Sequence, residues 1–139
     1  MPRRTLVVDD ESLIASNLTR FLTSTGYEAA SFPDALSCVS SLPCRESWPS
    51  DQPCAHAIIT DLCMPWMSGF NFLELLRARN CKVPRLALMS ASGGDVIPRI
   101  IESGCAFFEK PLELSDILSW LSQDGKSHET MHPRQYESS

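Results

Sequence analysis

The stretch IITDLCMPWMSG, residues 58–69, is an apolar run that ends in a carboxylate and then breaks into a turn rich in Met, Pro and Gly. Its first residues are typical of a parallel strand that is buried on both faces. Asp61 closes this strand, and Gly69 supplies a backbone conformation that side chains resist. A carboxylate directly after a buried strand requires an explanation, which the residues around it supply.

Two further segments share this apolar pattern, and two weaker ones complete a set of five. The clear strands are TLVV (5–8) and RLALM (85–89), and the weaker candidates are YEAASF (27–32) and AFFE (106–109). Helical patterns lie between them. Strand and helix in alternation predict an α/β fold, a doubly wound five-stranded parallel sheet with right-handed crossovers and helices on both faces.

The helices are predicted from apolar periodicity and from Gly and Pro. Asp34 to Leu42 forms a short second helix, a third helix follows Gly69, and the fourth, near Asp95 to Ser103, begins close to Pro98 because proline costs little in a first turn. The apolar faces of the first and last helices are formed by Leu13, Ile14, Leu18, Phe21 and Leu22, and by Leu114, Ile117, Leu118 and Leu121.

Length and charge limit the class of protein. The 139 residues suit one compact domain over 1–123, and the polar, aperiodic stretch 124–139 is predicted to be a disordered tail. A net charge of -5 argues against a nucleic-acid surface, which needs clustered Lys and Arg. No apolar stretch approaches the ~20 residues needed to span a bilayer, so we expect no membrane contact and a cytoplasmic location.

Six cysteines are scattered along the chain without a zinc-like spacing. Thiols are the simpler expectation in a cytosolic chain. The alternative that stays open is a bridge between Cys44 and Cys54, which would close the loop between them under oxidation.

Polar side chains follow four of the five predicted strands. Asp9 and Asp10 come after the first, Asp61 closes the third, Ser90 follows the fourth and Lys110 follows the fifth. Ligands of open doubly wound sheets bind beyond the carboxyl ends of the strands. Three carboxylates meeting there repel one another by roughly 4 kcal/mol per close pair at an effective dielectric near 20. A hard cation offsets this repulsion, and the oxygen ligands favour Mg²⁺ over zinc.

This group of residues resembles the receiver domain of two-component response regulators. The family pattern is found in VVDDE (7–11), DLCMPWMSG (61–69), LMSAS (88–92) and FFEKP (107–111). The resemblance covers about residues 4–122 and implies a flavodoxin-like sheet with the strand order 2-1-3-4-5.

The resemblance also implies a role for each site residue. Asp61 would be the phosphoacceptor, exposed so that a phosphoryl donor reaches it. Asp10, Asp61 and the backbone carbonyl of Cys63 would bind Mg²⁺ directly, and Asp9 would act through water. Lys110 would neutralise the phosphoryl oxygens and Ser90 would donate a hydrogen bond to one of them.

Phe107 occupies the position of the family's switch aromatic, which changes rotamer as Ser90 moves toward the phosphoryl group. An ordinary core phenylalanine is the alternative at this position.

The resulting hypothesis is a single-domain response regulator. A sensor histidine kinase or histidine phosphotransfer protein would phosphorylate it, and it would signal by binding an unknown downstream protein. A phosphorelay intermediate or phosphate sink is the alternative, and a constitutive interaction domain is a further one. We do not expect an enzyme, because aspartyl phosphohydrolases usually carry a second acid where this chain has Cys63.

Overall fold

The computed structural model describes residues 4–42, 53–64, 66–79, 81–91 and 96–123, which form one sheet flanked by helices. Strands and helices alternate along the chain, as the sequence predicts. The strands are β1 (Arg4–Val8), β2 (Glu28–Phe32), β3 (Ala57–Asp61), β4 (Arg85–Ser90) and β5 (Ala106–Glu109). The helices are α1 (Ser12–Ser24), α2 (Ala35–Ser41), α3 (Gly69–Ala78), α4 (Ile97–Ser103) and α5 (Leu114–Leu121).

The five strands pair in parallel in the order β2-β1-β3-β4-β5, which confirms the predicted fold class and strand order. β3 lies at the centre of the sheet and all five of its residues are buried. The register between β1 and β3 places Val8 beside Thr60. The next residue of each strand, Asp9 and Asp61, is therefore delivered to the same edge of the sheet.

The core consists of two layers, one on each face of the sheet. The α2–α3–α4 layer packs on Leu6, Val8, Ile58 and Leu88 of the strands. The α1–α5 layer packs on their neighbours, which point to the other face. β5 contributes to both layers, because Phe107 lies in the first and Phe108 in the second, where its ring meets Trp120 edge-on with a centroid distance of 5.6 Å.

The apolar face predicted for α1 needs one correction. The sequence pattern places Leu13 on this face, but Leu13 is 72% exposed, whereas Ala15, Leu18 and Leu22 form the buried stripe. Residues at spacings of three, four and seven share a helix face, and Leu13 falls about 140° away from Leu18 on a helix of 3.6 residues per turn. α4 begins at Ile97 with Pro98 in its first turn, as predicted.

The cysteines are mostly free thiols, but the expectation of thiols throughout is wrong at one position. Cys38, Cys54, Cys63 and Cys105 are free, whereas Cys81 is disulfide-bonded. The free thiol of Cys54 contradicts a bridge to Cys44, and Cys44 itself lies outside the described residues. The tail 124–139 also lies outside them. Among the residues that are described, no helix is long and apolar enough to cross a bilayer.

Candidate functional site

The candidate site is built at the carboxyl edge of the sheet, where four strands end. Asp61 is the last residue of β3 and Asp9 the first residue after β1, where its backbone N–H donates to the carbonyl of Phe32 at 3.1 Å. Ser90 ends β4 and Lys110 follows β5. The backbone N–H of Lys110 donates to the Ser90 carbonyl at 2.9 Å, so the sheet pairing itself brings these two residues together.

Gly69 fixes how closely α3 approaches the end of β3. Its N–H donates to the carbonyl of Leu62 at 2.8 Å. A Cβ at this position would lie 2.9 Å from the backbone oxygen of Asp61 and 2.8 Å from Cδ2 of Leu88. Only glycine allows this approach. The hydroxyl of Ser68, which accepts from the N–H of Asn71 at 3.2 Å, caps the helix that starts there.

Lys110 is the centre of charge at the site. Its Nζ lies 2.9 Å from Oδ2 of Asp9, 3.3 Å from Oε1 of Glu11 and 3.4 Å from Oδ2 of Asp61. The side chains of Asp9 and Lys110 are almost entirely enclosed, with 0% and 10% exposure. One ammonium therefore neutralises part of the charge of three carboxylates, a contact that is stronger here than in water.

Carboxylate oxygens of Asp9, Glu11 and Asp61 all lie within 4.8 Å of one another, close enough to hold a metal ion. Three carboxylates form the oxygen donor set that Mg²⁺ prefers, so the residues fit this ion. Asp10, which was predicted as a direct ligand, is exposed and does not belong to this group. Its role stays a prediction.

The environment shifts the pKa values of the two central groups. Burial and then the charge of Asp9 raise the pKa of the Asp61 carboxyl, although Lys110 and the backbone N–H of Cys63 oppose the rise. Burial lowers the pKa of Lys110, but its hydrogen bond to Asp9 and the charges of Asp61 and Asp9 outweigh this effect. The net pKa of Lys110 is above its ordinary value, which keeps it charged. The carboxylates raise the pKa of both groups, so negative charge exceeds positive charge at this site.

Asp61 is less exposed than we expected. Only 6% of the residue is accessible, because Lys110 and Asp9 flank its carboxylate and the preceding strand is fully buried. The expectation of an exposed Asp61 is therefore wrong. Its Oδ1 accepts from the backbone N–H of Cys63 at 3.4 Å, while the Cys63 side chain is exposed.

Ser90 and Phe107 lie on adjacent strands below the site. Ser90 is 7% exposed and Phe107 1% exposed, and Phe107 packs in the α2–α3–α4 layer. In the register of β4 and β5, Leu88 stands beside Phe107 and Ser90 beside Glu109. Ser90 and Phe107 therefore lie within two residues of the register position of Asp61, which stands beside Met89.

Glu11 is the residue that the sequence interpretation missed. It follows the two aspartates in VVDDE, and the turn into α1 brings it back toward Asp9, whose Oδ1 accepts from the Glu11 N–H at 2.9 Å. Its place two residues after Asp9, just before a helix, was the signal that could have identified it.

Comparisons with known proteins agree on one family. A response regulator receiver domain model matches residues 5–122. The transcriptional regulatory protein PrrA of Mycobacterium tuberculosis is 31% identical over 117 residues, which is 84% of this chain and 47% of that protein. The two-component response regulator ORR3 of Oryza sativa subsp. indica is 29% identical over 81% of this chain and 82% of its own.

A solved structure supports the same fold. The chemotaxis protein CheY4 of Vibrio cholerae has a TM-score of 0.72 and 21% sequence identity, and the match covers 87% of this chain and 97% of that one. The chain spans about half the length of PrrA, a curated relative that it matches. From the family match and the five-stranded parallel fold together, we conclude that this chain belongs to the response regulator receiver domain family.

Proposed function

We propose that this chain accepts a phosphoryl group on Asp61 from the phosphohistidine of a sensor histidine kinase or a histidine phosphotransfer protein, and thereby changes its contacts with a downstream protein. One observation carries this proposal: Nζ of Lys110 lies 3.4 Å from Oδ2 of Asp61, and Asp61 belongs to a group of carboxylates at the carboxyl edge of the sheet. Receiver domains are phosphoacceptors in two-component signalling, and this chain has the fold and the family match of one.

The chemistry follows from the residues at this edge. An oxygen of the Asp61 carboxylate forms a bond to phosphorus as the bond from phosphorus to the imidazole nitrogen breaks, and the leaving imidazole keeps the electron pair. Asp61 then carries an acyl phosphate. Lys110 supplies a positive charge to the phosphoryl oxygens, and the Ser90 hydroxyl donates a hydrogen bond to one of them.

Mg²⁺ fits the same edge. In the ligand set that the resemblance to receiver domains implies, Asp61, Asp10 and the Cys63 carbonyl would hold the ion directly and Asp9 through water; oxygens of Asp9 and Asp61 already lie within 4.8 Å of each other. When bound, the ion neutralises negative charge that the acidic group otherwise concentrates. Because Lys110 faces several carboxylates, a second source of positive charge lets a dianionic phosphoryl group approach.

The output is a change of conformation rather than turnover of a substrate. As Ser90 moves toward the phosphoryl group, Phe107 takes up the space it leaves on the neighbouring strand. Because Phe107 is fully enclosed by the α2–α3–α4 layer, its rotamer cannot change without movement of that layer. Phosphorylation shifts the equilibrium only by its different interaction with the two conformations.

The test is to incubate the chain with Mg²⁺ and acetyl phosphate and to measure its intact mass. We expect one added phosphoryl group in the parent and none in Asp61→Asn. Lys110→Ala should label at least about tenfold more slowly, because a charge-assisted hydrogen bond is worth ~1.5–3 kcal/mol. Asp10→Asn should also label slowly, and excess EDTA should stop labelling of the parent.

The matched control is Asp34→Asn, which makes the same chemical change at the N-cap of α2. Asn caps helices as well as Asp does, and Asp34 lies outside the acidic group, so this variant should label like the parent. Labelling of Asp61→Asn at the parental rate would show that the acceptor is another residue. Labelling that persists in EDTA would remove the metal from the reaction.

A further inference from the structure

Three carboxylates surround the ammonium group of Lys110. A lysine ammonium has three N–H donors, and in this structure three carboxylate oxygens lie within 3.4 Å of Nζ. Nζ donates hydrogen bonds to Asp9 and Glu11 and forms an ion pair with Asp61, so phosphoryl oxygens added at Asp61 would compete with these carboxylates for the ammonium group. We expect one of the three contacts of Lys110 to weaken when Asp61 is phosphorylated.

The contact with Glu11 is the easiest to break. The side chain of Asp9 is 0% exposed, so without Lys110 its carboxylate would be left buried and unpaired. The side chain of Glu11 is 61% exposed, so water can replace Lys110 as its partner. Asp61 itself carries the phosphoryl group in the new state and keeps Lys110 nearby. Glu11 is therefore the partner that Lys110 leaves.

Glu11 also opposes the incoming charge directly. One of its carboxylate oxygens lies within 4.8 Å of a carboxylate oxygen of Asp61. In the proposed reaction an oxygen of the Asp61 carboxylate bonds to phosphorus. Like charges at this separation repel each other, more strongly at a half-enclosed edge than in water. Loss of the Lys110 contact and repulsion by the phosphoryl group act in the same direction.

From these contacts we propose that Glu11 is a positioning residue that holds Lys110 in the unphosphorylated site and weakens the binding of a phosphoryl group at Asp61. This inference rests on the proposed function, because it concerns the same acceptor. It assigns to Glu11 an effect opposite to that of Lys110: the lysine favours the phosphorylated state, and the glutamate favours the free one.

The side chain of Glu11 can be changed without disturbing α1. Glu11 stands at the N-cap of this helix but makes no side-chain capping hydrogen bond. Its backbone makes the local contacts, since its N–H donates to Asp9 and its carbonyl accepts from the N–H of Ala15. Glu11→Gln removes one charge and keeps nearly the same shape.

The experiment is a titration with beryllium fluoride, which mimics a phosphoryl group, at saturating Mg²⁺ and followed by tryptophan fluorescence. We expect Glu11→Gln to bind beryllium fluoride roughly two- to fivefold more tightly than the parent, the range expected for removal of one exposed ion pair. This difference should shrink as salt is added, because the charges are partly solvated. Glu11→Asp keeps the charge and should stay close to the parent.

Glu28→Gln is the matched control. It removes the same charge at the start of β2, at the opposite edge of the sheet, and should bind like the parent. Melting temperatures of all variants establish that the comparison is between folded proteins.

The outcomes separate this inference from the proposed function. A parent that neither binds beryllium fluoride nor labels at Asp61 defeats both. If the parent binds and labels but Glu11→Gln binds equally or more weakly, only the role of Glu11 is overturned. Equal tightening in Glu11→Asp and Glu11→Gln would also overturn it, because the charge would not be the cause.

Discussion

Among single side chains, Thr5 illustrates the cost of a polar group without a partner. Its residue is 0% exposed in β1, and within the described part of the chain its hydroxyl is a buried side-chain atom with no hydrogen bond. Thr60 is equally buried in β3, but its hydroxyl bonds the carbonyl of Asp61 at 3.1 Å and approaches Sδ of Met64 at 3.7 Å. The same residue type therefore has opposite energetic consequences on two adjacent strands.

We predict that Thr5→Val raises the free energy of unfolding by about 1 kcal/mol, because Val has the same shape and removes the unsatisfied hydroxyl. Thr60→Val is the matched comparison and should lower it by about 1 kcal/mol, since it breaks an existing hydrogen bond. Urea unfolding measures both values. Equal effects of the two substitutions would mean that the Thr5 hydroxyl finds a partner in solution.

The sequence predicted which acids reach the site better than it predicted what each side chain does there. Asp9 and Asp61 follow adjacent strands, so parallel pairing alone brings them together. Asp10 and Glu11 lie in the turn between β1 and α1, where one residue more or less reverses the direction of a side chain. Alternation along strands says nothing about such a turn, so it does not identify Glu11, and the role of Asp10 rests on the family resemblance alone.

For the secondary-structure elements, the start of α3 lies so close to the end of β3 that a Cβ at Gly69 would collide with it. Gly69 makes it possible, and two of the three atoms that a Cβ would meet belong to the backbone of Asp61 and Leu62. Backbone atoms cannot rotate away as a side chain can. A larger residue must therefore move the helix or the strand end that carries Asp61.

We predict that Gly69→Ala costs roughly 1–3 kcal/mol of stability, as overpacking of a core does. It should also slow the labelling of Asp61 by acetyl phosphate. Gly26→Ala provides the control: its φ of 100° strains alanine, but nothing lies within 4 Å of the added Cβ. It should lose stability while its folded form labels at the parental rate. If both variants label normally, the packing of α3 does not position Asp61.

Helix limits followed from sequence more reliably than helix faces. Pro98 indicates the start of α4 in the sequence, and Gly69 indicates the start of α3. The buried face of α1 was partly wrong, because Leu13 is apolar but points to solvent. Hydrophobicity alone does not decide orientation, because Leu13 lies on a different face of the helix from Leu18 and Leu22.

The molecule as a whole depends on two apolar layers, and one of them contains buried thiols. Cys38 is 0% exposed in the α2–α3–α4 layer, and burial raises the pKa of its thiol to about 12 from an ordinary 9.0. Burial also raises the pKa of the Cys105 thiol. Between pH 9.0 and about 12, the Cys38 thiol loses its proton in the unfolded chain and keeps it in the folded chain. Stability must then fall as pH rises.

We predict that the free energy of unfolding of the parent, compared with that of Cys38→Ala, is constant below pH 9.0 and decreases as the pH rises toward about 12. The slope is at most about 1.4 kcal/mol per pH unit. Urea unfolding at a series of pH values measures it. Cys63→Ala, at an exposed thiol, should keep the parental pH dependence. A difference between the parent and Cys38→Ala that does not change with pH would contradict the burial of this thiol.

β5 links the two sides of the sheet through consecutive aromatic rings. Phe107 is embedded among α2, α3 and α4, and Phe108 meets Trp120 of α5 on the reverse side. Lys110, the residue after the strand, is hydrogen-bonded through its backbone to Ser90. Because the two rings lie on opposite faces of the sheet, a shift of β5 toward one layer presses one ring into that layer and draws the other ring away from its own. A displacement of this strand would therefore tighten the packing on one face of the sheet and loosen it on the other.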